Sequence, residues 1–272
     1  MLKKIQESVD FIRTKTDLQP KVAIILGTGL GQLAEQIQSP VKIPYEHIPY
    51  FPLSTVESHS GKLIFGFLAD VPVVVMQGRF HYYEGYSLKE ATYPIRIFQK
   101  LGLKNLFLSN ACGAVNQNIK TGDLMVIKDH INLLPDNPLR GKNINELGPR
   151  FPEMSEPYDK EWVNAAMIFS GDLPVDVHKG VYVAVPGPNL ETAAEYKYIR
   201  VIGGDVVGMS TVPEVIVAKH AGMKCFAVSV VTDVGYGEVL EAVSLADVLA
   251  AAAKAEPHMT ALFIKMLNLV KV

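Results

Sequence analysis

An arginine and a histidine two residues apart give the first indication of chemistry in this 272-residue chain. Arg79 and His81 lie in the segment GRFHYYEG at 78–85, directly after an apolar run at 73–76. In an extended segment they would face the same side. A guanidinium fork beside an imidazole suits an oxyanion, and Tyr83 suits the face of a sugar. The alternative is a surface charge beside a packing histidine and a core tyrosine.

A glycine-rich segment, GTGLG at 27–31, follows the apolar run 22–26 and precedes a helical pattern at 30–37. Glycines let backbone N–H groups approach an anion, a helix start adds a favourable dipole, and Thr28 adds a hydroxyl. Gln32 breaks the G-x-G-x-x-G pattern, and no Walker Gly-Lys-Ser/Thr follows, so dinucleotide and ATP binding are disfavoured. The loop is either an anion cradle or an ordinary tight turn.

Ser210 is a further candidate for anion binding. It lies in the segment GMSTVPE at 208–214, before the helical pattern 212–220. Thr211 and Glu214 have the spacing of a capping box, which explains both residues without a ligand. Capping does not explain Ser210, which lies where the first turn of a helix can hold an anion.

A carboxylate suited to a heterocyclic base follows the apolar run 181–185. Glu191 opens a helical pattern at 191–202, so helix-dipole stabilisation is the alternative to accepting hydrogen bonds from the ring N–H groups of a base. The small residues SNACG at 109–113 suit close backbone approach to a flat ligand. Cys112 among them lacks the histidine and acid partners of a nucleophile, so we interpret it as packing. The histidines show no metal-ligand spacing, and we expect no metal site.

Short apolar runs alternate with helical periodicity along the chain. The predicted strands cover residues 22–26, 62–68, 73–76, 106–108, 124–127, 181–185 and 225–231. The predicted helices cover residues 2–12, 88–101, 161–169, 191–202, 212–220 and 245–269, with Pro257 expected to kink or split the last. Apolar strands between amphipathic helices indicate an α/β fold with a sheet covered on both faces. We expect one domain, residues 1–272.

Composition excludes several classes of protein. Hydrophobic residues make up 49% of the chain and charged residues 20%, with a net charge of −2 and no Lys/Arg-rich run, so nucleic-acid and membrane-surface partners are not expected. No apolar stretch is long enough to span a membrane, and the N-terminus has no apolar core of a signal peptide. Two cysteines suit a reducing compartment. We expect a cytoplasmic globular protein.

Eight segments, in this order, make nearly the whole chain similar to the trimeric purine nucleoside phosphorylases. They are GTGLG (27–31), FPLSTVESHSGK (51–62), QGRFHYYEGY (77–86), SNACGAVN (109–116), DHINLLPDNPLRG (129–141), RFPEMSEPYD (150–159), GPNLETAAE (187–195) and GMSTVPEVIVAKH (208–220). The resemblance implies a three-layer α/β/α fold around a mixed, barrel-like sheet. It also implies a pentosyltransferase of purine salvage, which reversibly converts a purine nucleoside and orthophosphate to the base and (deoxy)ribose 1-phosphate. Orthophosphate is then a co-substrate, and no metal or organic cofactor is implied.

Carried over residue by residue, the resemblance implies three groups of contacts. The phosphate contacts would be Thr28, His59, Arg79, His81, Ala111 and Ser210. The purine contacts would be Glu191, Asp233, Leu190, Val207 and Gly113. Tyr182 also matches the family, in a lesser role. The ribose contacts would be Tyr83, Met209, Leu245 and Phe151. The catalytic residues among them would be Glu191, Asp233 and His81.

Three residues bear on assembly and substrate. Phe151 matches an aromatic residue that reaches into the neighbouring subunit's site, which implies a homotrimer with shared active sites. Asp233 stands where the family has a base-site asparagine, and Leu245 where it has a histidine for the 5′-hydroxyl. We expect a phosphorylase of the inosine/guanosine type, the alternative being one that accepts 5′-methylthioadenosine or adenosine. A sensor that binds nucleosides without cleaving them would not need the converging anion-binding residues.

Overall fold

The computed structural model describes residues 1–55, 61–237 and 242–270. The strands in these ranges are β1 Val22–Leu26, β2 Gln38–Pro44, β3 Lys62–Leu68, β4 Val71–Gln77, β5 Asn105–Ala114, β6 Leu124–Asn132, β7 Val177–Ala184, β8 Val206–Gly208 and β9 Lys224–Val234. The α-helices are α1 Leu2–Arg13, α2 Leu88–Ala91, α3 Tyr93–Lys100, α4 Lys160–Phe169, α5 Ala193–Val201, α6 Val212–His220 and α7 Leu245–Leu267.

The strands form one mixed sheet in the order β2-β3-β4-β1-β5-β8-β7-β6-β9. Because β9 also pairs with β5, the five strands β5, β8, β7, β6 and β9 close into a barrel. Strands β4, β1, β5 and β9 run parallel to one another, whereas β8 is antiparallel to β5 and β6 is antiparallel to β9. The expected α/β fold with a mixed, barrel-like sheet is confirmed.

The sequence pattern predicted the strands that lie in the interior of the sheet. Every residue of β1 is buried, as expected for a strand covered on both faces. All seven predicted strands are present, although β5, β6 and β7 differ from their predicted ends by several residues. The prediction missed β2, which is polar and largely exposed at the edge of the sheet, and β8, which is only three residues long and ends at Gly208. Neither segment has the apolar pattern that marks a buried strand.

Helix α3 packs against both α1 and α6, and helix α4 packs against α7. The predicted helix 88–101 is two helices separated at Thr92, and the predicted helical segment at 30–37 is a 3-10 turn, Gln32–Gln36. Helix α7 continues through Pro257, so the proline does not split the helix. No helix in the described ranges is long and apolar enough to cross a membrane.

Candidate active site

A cavity of about 420 Å³ lies toward the carboxyl ends of the parallel strands β1, β4, β5 and β9. The segment that follows β8, the loop before α5 and the first turn of α7 complete its wall. In α/β folds ligands bind at this edge, since the loops that leave the strands converge there. The cavity is therefore the candidate active site.

The wall contains most of the residues that the sequence analysis assigned. They are Thr28, Arg79, His81, Tyr83, Ala111, Gly113, Leu190, Glu191, Val207, Met209, Ser210, Asp233 and Leu245. Tyr182 is buried next to the cavity, where its hydroxyl accepts the Ser210 backbone N–H at 3.2 Å. Phe151 does not line the cavity of this chain and is 86% exposed. His59 lies outside the described residues.

The anion-binding end of the cavity is organised around Arg79, which is 1% exposed. Its Nη1 donates to the Ser109 carbonyl oxygen at 2.8 Å and to the Ser210 hydroxyl at 3.0 Å. Its Nε is 3.1 Å from a carboxylate oxygen of Glu214, which is also buried. These contacts orient the guanidinium before any ligand binds, which is the arrangement expected of a preorganised anion site.

The predicted capping box at Thr211 and Glu214 is wrong. Thr211 has a φ of 71° and makes no side-chain cap, and its hydroxyl accepts a hydrogen bond from the Asn110 amide at 2.9 Å. Glu214 is instead the ion-pair partner of Arg79. The need to neutralise a buried guanidinium outweighs the smaller gain from a helix cap.

His81 is held by Glu84, a residue to which the sequence analysis gave no role. Nδ1 of His81 lies 2.9 Å from Glu84 Oε1, and the same oxygen accepts the His81 backbone N–H at 2.8 Å. Burial raises the pKa of Glu84, but hydrogen bonds from His81 and Thr55 outweigh that effect and lower it to about 2. Burial lowers the pKa of His81. Because Nδ1 of His81 contacts Glu84, Nε2 is the ring nitrogen of His81 that can contact a bound anion.

Two further carboxyl groups line the cavity, on Glu191 and Asp233. Burial raises the pKa of Glu191, and the nearby Asp233 raises it further, against an opposing hydrogen bond from the Tyr196 hydroxyl. Burial also raises the pKa of Asp233, against an opposing hydrogen bond from Thr232. Both groups are thus easier to protonate than ordinary carboxyls, and between them they can accept or donate hydrogen bonds at a base.

Glycine at position 113 makes room for Asp233. A Cβ atom there would lie 2.8 Å from Asp233 Oδ2, closer than Cβ contacts ordinarily come. Gly113 pairs with Asp233 in the register between β5 and β9. The closure of the barrel therefore brings this carboxyl group beside the SNACG segment of the cavity wall.

Glu191 does not open helix α5. The helix begins at Ala193, where Thr192 accepts the Glu195 N–H at 3.2 Å and Glu195 accepts the Thr192 N–H at 2.7 Å. The capping box is thus complete without Glu191, which lies before the helix. The prediction that Glu191 opens the helix is wrong, and the helix-dipole alternative loses its main support.

Tyr83, Met209 and Leu245 line the part of the cavity assigned to a sugar. The Tyr83 ring stacks on His81, with centroids 4.7 Å apart and planes at 15°. Leu245 is the first residue of α7 and is 55% exposed, so it is not part of the core. Ser244 caps this helix in a box with Asp247, as its S-x-x-D spacing indicates.

The wall also holds residues that were not assigned. They are Asn110, Cys112, Pro188, Gly208, Thr232, Val243, Ser244 and Val248. Asn110 and Cys112 lie in the SNACG segment, whereas Val248 belongs to the wall only because α7 begins at the cavity. Burial raises the pKa of the Cys112 thiol, in agreement with its interpretation as packing. Across the ranges 1–55, 61–237 and 242–270, no three His, Cys, Asp or Glu residues are grouped as metal ligands.

Comparisons with known proteins converge on one family. The model of the phosphorylase superfamily matches residues 21–268. Purine nucleoside phosphorylase 1 of Bacillus subtilis (strain 168) is 49% identical over 237 residues, 87% of this chain and 88% of that protein. Purine nucleoside phosphorylase 1 of Geobacillus stearothermophilus is 51% identical over 233 residues, 86% of this chain and 85% of its own length. The structure of Schistosoma mansoni purine nucleoside phosphorylase in complex with adenosine superposes with a TM-score of 0.92 and 41% identity, covering 98% of this chain and 97% of that one.

Proposed function

The chain belongs to the phosphorylase superfamily as a purine nucleoside phosphorylase, and we propose that its cavity cleaves 6-oxopurine nucleosides with orthophosphate. The reaction is a pentosyl transfer that yields the free purine base and (deoxy)ribose 1-phosphate. The observation that carries the proposal is the combination of two groups of residues in one cavity wall. Arg79, His81 and Ser210 can bind an anion, and the carboxyl groups of Glu191 and Asp233 can bind a base.

In this proposal the anion-binding end holds orthophosphate against C1′ of the sugar. The Arg79 guanidinium, the hydroxyls of Thr28 and Ser210 and the backbone at Ala111 donate to phosphate oxygens, with His81 alongside through Nε2. As the bond between C1′ and the purine nitrogen breaks, positive charge develops on the ribosyl ring. The phosphate stabilises that charge and then forms the new C1′–O bond.

The base-binding end stabilises the purine that leaves with the bonding electrons. Glu191 as a carboxylate accepts N–H bonds from the ring, each worth about 1.5–3 kcal/mol when charge-assisted. Asp233 in its protonated form donates a hydrogen bond to N7, where the leaving base gains negative charge. The raised pKa of Asp233 supports this role, since burial favours the protonated form. The scheme needs no metal and no organic cofactor.

Two features favour a broader substrate range as the second candidate function. Leu245 at the sugar end of the cavity offers no hydrogen bond to a 5′-hydroxyl, and an ionised Asp233 would tolerate a 6-amino group. A schistosome relative has been solved with adenosine and a schistosome purine nucleoside phosphorylase with hypoxanthine. Acceptance of adenosine or 5′-methylthioadenosine is therefore the alternative to strict 6-oxopurine specificity.

The proposal includes a homotrimer with shared sites, in which Phe151 of one subunit reaches the sugar of the next. The exposure of this aromatic side chain supports it, because 86% of its surface is available for contact with a second subunit. The proposed place of action is the cytoplasm, where purine salvage would use the reaction. Two buried cysteines in thiol form agree with a reducing compartment.

A substrate panel tests the proposed function. Inosine, guanosine, adenosine and 5′-methylthioadenosine are each incubated with and without orthophosphate, and base release is followed by ultraviolet absorbance. We expect phosphate-dependent cleavage with inosine and guanosine preferred. Cleavage that proceeds equally without phosphate, or no cleavage of any purine nucleoside, would contradict the proposal.

A further inference from the structure

Helix α7 carries one buried carboxyl group that the proposed mechanism does not use. Glu256 is 1% exposed, and the other buried residues of the helix are apolar except Thr260. Its Oε1 accepts the backbone N–H of Gln32 at 2.6 Å and of Leu33 at 3.2 Å. Burying a carboxyl group is unfavourable unless its hydrogen bonds compensate. Among the described residues Oε2 has no hydrogen-bond partner, so the two bonds to Oε1 are what direct the group toward the turn.

The two N–H groups belong to the 3-10 turn Gln32–Gln36, directly after the glycine loop 27–31. The first N–H groups of a helical turn lack partners within the turn and are normally satisfied by the side chain of the capping residue. Here the capping residue is Gly31, which has no side chain. Glu256 supplies the missing acceptor from another element.

The same face of α7 contacts the loop and the cavity. Leu245 and Val248 line the cavity. One and two turns further on, Leu249 and Ala252 approach Gly29, where an added Cβ would lie 2.9 Å from Ala252 Cβ and 3.2 Å from Leu249 Cδ2. Residues three and four apart share one face of a helix, so this face runs from the sugar end of the cavity, along the glycine loop, to Glu256.

We propose that Glu256 is a positioning residue for phosphate binding, acting through the loop that carries Thr28. By capping the 3-10 turn from α7, it sets the conformation of the loop while leaving the loop free of side chains that would block an anion. Because the first turn of α7 also lines the sugar end, the helix links the two substrate subsites. This inference rests on the proposed function, since it assumes that the loop contacts orthophosphate.

Three variants separate positioning from general stability. Glu256→Leu removes the acceptor and keeps an apolar side chain of similar bulk, with Glu256→Ala prepared beside it in case one of them does not fold. Glu256→Gln keeps a carbonyl oxygen that can accept both N–H bonds. Leu262→Ala is the matched control, since Leu262 is fully buried in the same helix and faces neither the glycine loop nor the cavity wall.

The KM for phosphate is measured at saturating inosine, and the KM for inosine at saturating phosphate. We expect Glu256→Leu to raise the phosphate KM about tenfold relative to Leu262→Ala, with the inosine KM within about threefold of wild type. Glu256→Gln should keep the phosphate KM within about threefold of wild type. A phosphate KM in Glu256→Leu or Glu256→Ala no higher than in Leu262→Ala, or a Gln variant as impaired as the Leu variant, would overturn the inference.

Calorimetric titration of the same variants with inorganic phosphate keeps this test apart from the test of the proposed function. If the wild type binds phosphate but cleaves no nucleoside, the proposed function fails while the comparison of phosphate affinities still decides the role of Glu256. If the wild type cleaves nucleosides normally and Glu256→Leu binds phosphate as tightly as wild type, only the inference about Glu256 fails.

Discussion

Arg79 and Glu214 form an ion pair at 3.1 Å, with both side chains almost inaccessible to water. The pair joins the segment after β4 to the first turn of α6, and it fixes one edge of the guanidinium. The opposite edge reaches Ser109 and Ser210 beside the cavity. A residue proposed to bind phosphate is thus also part of a buried structural network, and the two roles have to be tested separately.

Arg79→Met is expected to raise the KM for phosphate and to lower kcat, because a charge-assisted contact of about 1.5–3 kcal/mol is lost. It should also lower the free energy of unfolding by about 3–5 kcal/mol, since Glu214 is left buried without its cation. The double variant Arg79→Met/Glu214→Met should recover stability without recovering phosphate affinity. Denaturant unfolding and steady-state kinetics check this, and recovery of both would reduce Arg79 to a structural role.

Glu191→Ala should abolish most cleavage and leave the melting temperature nearly unchanged, because Glu191 lies outside helix α5 and its capping box. Thr192→Ala is the matched control. It removes the cap, should cost about 1 kcal/mol of stability, and should leave kcat/KM for inosine close to wild type. Thermal melts and steady-state kinetics of both variants separate the loss of activity from the loss of stability. Equal losses of activity in the two variants would argue against a base contact by Glu191.

Asp233→Asn should shift the ratio of kcat/KM for inosine to adenosine toward inosine, because the amide donates permanently to a 6-oxopurine. The raised pKa of Asp233 adds a pH dependence. Protonated Asp233 is favoured as the pH falls, so the wild-type ratio should rise as the pH falls through the pKa of Asp233, whereas the ratio of the variant stays flat. Kinetic profiles with both nucleosides measure this. Parallel profiles for the two proteins would exclude Asp233 as the titrating group.

Leu245→His should move the preference toward nucleosides with a 5′-hydroxyl, because the imidazole offers a hydrogen bond that leucine lacks. Since Leu245 is half-exposed, the substitution should change stability by no more than about 0.5 kcal/mol. The measurement is kcat/KM for inosine and for 5′-deoxyinosine, with Leu245→Ala as the control that removes bulk without adding a donor. A ratio unchanged within about twofold, roughly 0.4 kcal/mol, would show that this side chain does not read the sugar.

The proposed homotrimer predicts the mass of the protein in solution. Light scattering or sedimentation should give about three times the 29.8 kDa mass of one chain. Phe151→Ala should raise the KM for nucleoside while leaving the fold intact, since the ring makes few contacts within its own chain beyond Arg150. Ile168→Ala is the control, since Ile168 is also a largely exposed apolar side chain and does not line the cavity. A monomer with full activity would contradict the shared site.

Local patterns in the sequence determined much of the architecture. The apolar runs of β1, β3 and β9 and the periodicity of α1 are patterns among neighbouring residues, so strand and helix identity followed from them. The segments after β1 and β4 carry Thr28, Arg79 and His81, which are polar residues that line the cavity. Local reasoning works where the interactions that select a structure are themselves local, as for the capping box at Ser244.

Tertiary structure alone decided the relationships between distant segments. Glu214 fits a capping box by spacing, but it pairs with Arg79 because the fold brings a buried cation beside it. Strand β8 has too few residues to be recognised, yet it bridges β5 and β7 and so helps close the barrel. Glu256 looks like one polar residue in an alanine-rich helix, and only packing shows that it caps the turn after the glycine loop. In each case the free energy of a buried polar group depends on partners far along the chain, which no local pattern encodes.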